Sequence, residues 1–306
     1  MSQITDPEVA RSPDVARLPM APEQLSVDRT PWSTDPQVFT VRGDRLHPVI
    51  SGNKWFKLRA WLLQARNEGV RHLVSVGGPY SNHLHALAYA GHALGIATKA
   101  WVRGPEPDTW SPTLVDCQRW GMDLSFVNRE HYLERDTADF AAWACRGLVR
   151  SLFIPEGGWS AEAIDGSSAW WRLAGPDLDA LICPVGSGTT LAGLVRSAPE
   201  STRVIGMPVY RDPDQYVSLT EKLATVGVTA DQYELWTGFA GRGFGRVTAE
   251  QTTFMAEFEQ REGIALDPVY TGKTFWALQQ RLHAEPGLRH QRIGILHTGG
   301  LQGRRS

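Results

Sequence analysis

Five lysines, at positions 54, 57, 99, 222 and 273, share this 306-residue chain with a far larger number of arginines. Arginine keeps its charge in any protein setting, whereas a lysine amine can lose its proton and form an imine. Lys54 has the most suggestive neighbours. Ser51-Gly52-Asn53-Lys54-Trp55-Phe56-Lys57-Leu58 reads as a tight turn entering a helix, which would present an amine to a cleft. Taken alone, the loop describes equally well a helix start with two exposed lysines. Three further loops carry groups that bind anions. In Ser75–His83 the Gly77-Gly78 pair permits close backbone approach, and Ser81 or Asn82 caps the following helix, whose free N–H groups suit a carboxylate or phosphate. An ordinary capped turn explains that loop too. Val185–Gly193 exposes backbone N–H groups through Gly186 and Gly188, and Ser187, Thr189 and Thr190 add hydroxyl donors, as a phosphate cradle needs. The fourth loop, Leu296–Gly300, sets Thr298 where its hydroxyl meets a ring nitrogen or merely caps the next turn.

The cradle has neither the GxxxxGK[ST] spacing of a nucleotide-triphosphate loop nor the GxGxxG spacing of a dinucleotide fold. No carboxylate that could hold magnesium stands beside it. A single reactive lysine, an anion-binding helix terminus and a separate phosphate cradle fit pyridoxal phosphate better than a nucleotide.

These loops need elements to hold them. Short apolar runs alternate with longer amphipathic ones. Strands are predicted at Val38–Val41, His72–Val76, Ala97–Val102, Leu124–Val127, Ser151–Ile154, Ala180–Cys183, Val204–Met207 and Arg292–Leu296. Between them, helices fit His83–Leu94, Thr113–Trp120, Ala138–Leu148, Ala161–Leu173, Thr189–Arg196, Gln215–Ala224, Ala249–Glu262 and Lys273–His283. Such alternation predicts an α/β protein with parallel twisted sheets flanked by helices, whose ligands gather beyond the carboxyl ends of the strands. The first 35 residues, rich in Pro, Asp and Ser, read as a loose arm.

Composition narrows the function classes. With 31 basic and 33 acidic residues and no run of like charge, nothing resembles a nucleic-acid or anionic-lipid footprint. Cys117, Cys145 and Cys183 are odd in number and far apart, which supports neither a disulfide framework nor a metal site. No stretch reads as a membrane span or a secretory signal, so a cytoplasmic protein is expected.

Six ordered motifs carry a family resemblance from about Val38 to the C-terminus. They are Gly52-Asn53-Lys54 with Lys57-Leu58, Gly77-Gly78 with Ser81-Asn82-His83, and Pro155-Glu156-Gly157-Gly158. Gly186–Thr190, Leu266-Asp267-Pro268-Val269-Tyr270-Thr271-Gly272-Lys273 and His297-Thr298-Gly299-Gly300 complete the set. Together they resemble the 1-aminocyclopropane-1-carboxylate deaminase/D-cysteine desulfhydrase family of two-lobed, fold-type II pyridoxal-phosphate enzymes, which are similar to tryptophan synthase β. The resemblance implies that Lys54 is the Schiff-base lysine and later moves the substrate's proton. It implies that Lys57 and Gly186, Ser187, Gly188, Thr189 and Thr190 bind the phosphate, and that Asn82 bonds the cofactor's phenolic oxygen. Thr298 would meet the pyridine nitrogen, Ser81, Asn82 and His83 the substrate carboxylate, and Tyr270 the cofactor face, so that Lys54, Ser81 and Tyr270 are the implied catalytic set. Residues 1–57 and 155–306 would form the large cofactor-binding domain, and 58–154 the small one. A small amino-acid substrate and a homodimer are implied as well.

Deaminases of the family usually carry glutamine after the Ser-Asn pair and glutamate after the tyrosine. This chain has His83 and Thr271. A carboxylate beside the ring nitrogen keeps it protonated and strengthens the electron sink, and a threonine hydroxyl does so less. Both differences lean toward α,β-elimination from D-cysteine, giving pyruvate, sulfide and ammonia. Deamination of 1-aminocyclopropane-1-carboxylate to 2-oxobutyrate is the competing activity. Phe244, where relatives often have tyrosine, keeps a third reading open: a catalytically silent cofactor-binding protein. Trp55 and Trp159 flank the implied site, either narrowing it or filling the core.

Overall fold

The structure, a computed structural model, describes residues 25–305. Among these residues ten strands form two sheets: β1 (Arg29–Trp32), β2 (Asp35–Val41), β3 (His72–Gly77), β4 (Ala97–Arg103), β5 (Asp123–Val127), β6 (Ser151–Ile154), β7 (Ala180–Val185), β8 (Arg203–Pro208), β9 (Glu234–Leu235) and β10 (Ile293–Leu296). One sheet has the order β1-β2-β10-β7-β8-β9 and the other β5-β4-β3-β6. Every neighbouring pair is parallel except β1 with β2.

The parallel strands are apolar without a break because both faces are covered. Side chains alternate across β7: Leu181, Cys183 and Val185 join the core between the two sheets, while Ala180 and Ile182 face a second core with Phe254, Phe258 and Phe275. In β3, Leu73 enters the shared core, and Val74 and Val76 pack on the opposite face with Tyr132 and Phe140. The shared core also takes Phe56, Leu58 and Leu62 from helix Asn53–Asn67, Leu84 and Leu87 from Asn82–Leu94, Ile164 from Ala161–Ser167, and Leu191 and Leu194 from Thr189–Arg196. The helices that follow three of the four chemical loops are thus wedged between the sheets, which fixes their N-termini.

Three expectations change. Residues 29–32 are not loose: β1 pairs antiparallel with β2, and Leu25 is buried against the core. The rest of the expected arm, residues 1–24, lies outside the described residues. The helix expected over Ala161–Leu173 is two helices, Ala161–Ser167 and Ala169–Ala174. The helix from Ala138 stops at Ala144, shortly before Gly147 at φ 80°. Of the two readings of Trp55, the structure gives the core filler: it is 1% exposed and packs inside the shared cluster. Among the described residues no helix is long and apolar enough to cross a membrane.

Candidate active site

Each sheet has one place where neighbouring strands send their chains off in opposite directions. In the smaller sheet β3 continues to β4 on one side, and β6 lies on the other; in the larger, β7 continues to β8, with β10 on the far side. Loops leaving the carboxyl ends of such strands diverge and open a crevice. The loops after β3 and β6 carry Gly77–Ser81 and Glu156–Gly158, and those after β7 and β10 carry Gly186–Gly188 and His297–Gly300. They meet. A Cβ on Gly157 would stand 3.0 Å from Ser187 Oγ, one on Gly158 3.7 Å from the His83 ring, and one on Gly300 2.7 Å from Asn82 Nδ2.

Lys54 is the second residue of helix Asn53–Asn67, and the turn before it is held by Gly52, at φ 60° and ψ −136°. That conformation excludes a side chain, and a Cβ would overlap the Thr298 carbonyl in any case. The Lys54 amine donates to Asn53 Oδ1 at 2.8 Å and lies 5.9 Å from the centre of the Tyr270 ring. Burial lowers its pKa from 10.5 to about 8, opposed in part by the Asp267 carboxylate. The surroundings therefore produce a lysine with an accessible neutral form.

Lys57, one turn further on, is buried, and its Nζ donates to Ser187 Oγ at 3.3 Å. Ser187 Oγ in turn shares a hydrogen bond of 3.0 Å with Thr189 Oγ1. Gly188, at φ 87°, caps helix Thr189–Arg196, and Thr190 receives the Asn53 amide at 3.4 Å. Burial drives the Lys57 pKa well below its ordinary value, with the Lys54 and Lys222 ammonium groups adding to the effect. A buried amine beside hydroxyls and a helix N-terminus, with no carboxylate paired to it among the described residues, suits an anion.

Ser81 is the N-cap of helix Asn82–Leu94, accepting from Leu84 N at 3.2 Å, and its hydroxyl proton remains available. Asn82 Oδ1 accepts from Gln302 Nε2, tying this helix to the C-terminal turn. The His83 ring lies 3% exposed. Its Nε2 meets Ser75 Oγ at 3.0 Å, while that hydroxyl donates its one proton to the Ile154 carbonyl at 2.7 Å. Nε2 must therefore carry the histidine's proton, leaving Nδ1 as a buried acceptor with no partner among the described residues. Burial, with Lys54 and Lys57 nearby, lowers the pKa to about 3. The ring is neutral and its only N–H is spent, so a carboxylate here would be held by Ser81 and the helix N–H groups and not by the imidazole.

Tyr270 precedes helix Thr271–Ala284 and packs so closely on the loop after β7 that a Cβ on Gly186 would be 3.0 Å from its Cε1. Burial raises its pKa, with Asp267 and Glu156 adding to the rise, so the phenol stays protonated. Phe244 meets its ring edge-on at 6.1 Å. Thr271 corrects the sequence reading. Its hydroxyl donates to Asp267 Oδ1 and accepts from Asp267 N, both at 2.8 Å, so both roles are spent on capping the helix. It is not a free hydroxyl facing a ring nitrogen. Thr298, after β10, is 6% exposed and its carbonyl approaches Asn53 N at 3.4 Å.

Three residues had been given no role. Asp267, 1% exposed, accepts from the backbone of Val269, Tyr270 and Thr271 and so fixes the tyrosine. Its place in the Asp-Pro-Val-Tyr run was the available signal. Lys273, whose pKa burial lowers to about 8, donates to Gly243 O at 2.6 Å and anchors the glycine-rich loop that carries Phe244. Ser75 selects the His83 tautomer, and nothing in the sequence marks it, since it reads as one more strand residue. Cys183, beneath the cradle, is buried with its thiol pushed up to about 12, which suits a filler and not a nucleophile.

Residues 32–299 match the family described as pyridoxal-phosphate dependent enzymes. A provisionally named 1-aminocyclopropane-1-carboxylate deaminase from Pyrococcus horikoshii is 28% identical, over 90% of this chain and 92% of that one. The D-cysteine desulfhydrase of Yersinia enterocolitica is 26% identical over 86% of each chain. The bifunctional mitochondrial D-cysteine desulfhydrase/1-aminocyclopropane-1-carboxylate deaminase of Arabidopsis thaliana is 24% identical, over 94% of this chain and 78% of that one. Among solved structures, one described as an ACC deaminase homologue superposes with a TM-score of 0.74 at 26% identity, covering 96% of this chain and 97% of the other.

Proposed function

Because the chain belongs to the pyridoxal-phosphate dependent enzyme family, we propose that it is a lyase acting by α,β-elimination on a small amino acid, D-cysteine by preference. D-Cysteine and water would give pyruvate, sulfide and ammonia. The observation that carries this reading is Lys54: a buried amine with its pKa lowered to about 8, beside a protonated phenol and one helical turn from the buried Lys57 amine, which has no carboxylate partner among the described residues.

The residues fit the cofactor. Lys54 offers a neutral amine to its aldehyde. Lys57, Ser187, Thr189, Thr190 and the Gly186–Gly188 backbone offer an ammonium, hydroxyls and amides to its phosphate. Asn82 offers an amide to its phenolic oxygen and Thr298 a hydroxyl to its ring nitrogen. When bound, pyridoxal phosphate supplies an electron sink that acidifies the α-carbon of an amino acid.

The chain's own part begins with orientation. Ser81 and the N-terminal amides of helix Asn82–Leu94 would receive the substrate carboxylate, and the Tyr270 phenol would position the substrate. Lys54 would take the α-proton at Nζ. A base with a pKa of about 8 is roughly a quarter deprotonated at pH 7.5, against about one part in a thousand for an ordinary lysine.

His83 in place of glutamine supports the desulfhydrase side of the family, as the resemblance implies. Thr271 no longer bears on ring protonation through its own hydroxyl. It still places no carboxylate at that position, and elimination of sulfide, a good leaving group, demands less of the sink than opening a carbocycle does. Deamination of 1-aminocyclopropane-1-carboxylate is the second reading, favoured by the names of two of the relatives. The proposal takes residues 1–57 and 155–306 as the large lobe and 58–154 as the small one, in a cytoplasmic homodimer.

The test is to supply D-cysteine, L-cysteine and 1-aminocyclopropane-1-carboxylate separately to the holoenzyme, following keto acid, sulfide and the visible spectrum. Pyruvate with sulfide from D-cysteine, lost in Lys54→Ala, is the expected result. 2-Oxobutyrate from the cyclopropane substrate would give the second reading instead. A spectrum unmoved by all three would favour a silent binding protein.

A further inference from the structure

The 3-10 turn Leu301–Arg305, just after the Thr298 loop, reaches across to the helix that begins at Asn82. It is anchored on two sides. Arg304 forks onto Glu259 of helix Ala249–Glu262, at 3.1 and 2.6 Å. Arg305 donates to Asp116 Oδ2 on helix Pro112–Arg119, and His85 Nε2, from the Asn82–Leu94 helix, meets the same oxygen at 3.0 Å. The Gly303 amide closes the turn on the Gly300 carbonyl at 3.0 Å. Gln302, half-buried beside these anchors, donates from Nε2 to Asn82 Oδ1. Nothing in the proposed chemistry uses this glutamine.

A side-chain amide has an acceptor edge and a donor edge, and turning it over exchanges them in place. The Gln302 N–H holds Asn82 with its oxygen toward the turn. That leaves Nδ2, the donor, as the free edge. It has no acceptor among the described residues, and it is not sealed from solvent. Gly300 keeps this edge open, since a Cβ there would stand 2.7 Å from Nδ2. Asn82 therefore stands at the crevice as a half-buried side chain with an unspent pair of N–H donors, and its orientation is set by one neighbour.

From this arrangement we infer that Gln302 is a positioning residue for the cofactor: it fixes the Asn82 amide so that Nδ2, and not Oδ1, meets the phenolic oxygen. The inference rests on the reading above that Asn82 bonds that oxygen. The phenolic oxygen carries negative charge when the cofactor is bound, so an N–H attracts it and a carbonyl repels it. Without Gln302 both orientations of Asn82 are open, and binding must select one of them. With a carboxylate at position 302, which only accepts, the amide turns over and presents its carbonyl to the cofactor.

The test compares two ligands on the full-length protein stripped of cofactor: pyridoxal phosphate and its 3-deoxy analogue, which lacks only the phenolic oxygen. Quenching of tryptophan fluorescence gives both affinities, and their ratio is the readout. Because both are measured on the same variant, a general loss of stability or of phosphate affinity cancels. The ratio should fall about threefold in Gln302→Met, where the amide is merely freed, and about tenfold in Gln302→Glu, where it is inverted. Asn82→Ala should lower the ratio by itself. In that background Gln302→Met should have no further effect, and the loss from Gln302→Glu should shrink by about threefold or more. A new charge acting directly on the phenolic oxygen would instead lower the ratio equally with and without Asn82. That result, or a ratio unmoved by either Gln302 substitution while Asn82→Ala lowers it, would overturn the role of Gln302 alone. A ratio indifferent to Asn82→Ala would overturn both that role and the placement of Asn82 on which it rests.

Discussion

Replacing Lys54 by methionine should make the apoprotein more stable, although it abolishes activity. Burial lowers the Lys54 pKa from 10.5 to about 8. Below pH 8 both the folded and unfolded chains carry the proton, and the folded chain bears the full cost of a buried ammonium, about 3 kcal/mol at ~1.4 kcal/mol per pKa unit. Between pH 8 and 10.5 the folded state has lost the proton and the unfolded state still binds it, so stability rises with pH through that window. Methionine keeps the apolar stem and removes the charge. Partial solvent contact of the residue and the lost bond to Asn53 Oδ1 offset part of the gain, leaving a net gain of about 1.5 kcal/mol at pH 7. With a urea slope near ~3 kcal/mol/M the unfolding midpoint should rise by about 0.5 M. At pH 9.5 the wild-type penalty has fallen below half, and the gap should nearly vanish. Urea unfolding of both apoproteins at the two pH values is the assay, since bound cofactor would add its own stabilisation to the wild type alone. A Lys54→Met protein less stable than wild type at pH 7, or a gap that does not change with pH, would refute the burial argument.

Gly52→Ala should abolish cofactor retention while leaving far-ultraviolet dichroism largely intact, because a Cβ there meets the Thr298 carbonyl at the mouth of the lysine turn; the ratio of visible to protein absorbance after gel filtration measures it. Sulfate binding to the apoprotein at pH 8 should take up protons, because an anion favours the Lys57 ammonium, whose pKa burial and neighbouring cations lower. Titration calorimetry in buffers of differing ionisation enthalpy reads the uptake, and Lys57→Met should abolish it. Nitrogen-15 spectra should show His83 with a protonated Nε2 and a bare Nδ1 down to about pH 4, and Ser75→Ala should mix the tautomers by removing the hydroxyl that selects them. A charged ring at pH 6 would contradict this.

What the sequence disclosed and what it hid divide along a physical line. The strand-helix alternation was legible because buried parallel strands are continuously apolar, and runs such as Ala180–Val185 admit few other readings. The four loops were legible because lysine, glycine and hydroxyl residues stand at strand ends for reasons of chemistry. Residues whose role is to hold another residue were hidden. Ser75 sits inside β3, and its effect on His83 depends on Ile154, 79 positions away. Thr271 matched a family position, yet its hydroxyl is committed to Asp267 by a helix-capping geometry that only coordinates reveal. The β1 strand was hidden for another reason: Arg29-Thr30-Pro31-Trp32 has a proline and no alternation, and it is ordered by its partner β2.

One electrostatic logic joins the site's parts. Lys54 and Lys57 occupy one face of a single helical turn; burial lowers the pKa of both, and Lys54 and Lys222 lower that of Lys57 further. Among the described residues no carboxylate pairs with Lys57, and the Asp267 carboxylate near Lys54 spends its acceptors on the Tyr270–Thr271 backbone and the Thr271 hydroxyl. The fold thus withholds the counter-ion that a purely structural lysine pair would have been given. Adding a carboxylate, for instance by Ser187→Asp, would stabilise the apoprotein and restore Lys57 as an ammonium, but it would close the cradle to phosphate. Lys54, bonded only to the neutral Asn53 amide among the described residues, would then remain a buried amine of lowered pKa with no bound aldehyde to act on. The same two lysines that make the empty fold less stable make it selective for a ligand that brings an anion for one and a carbonyl for the other.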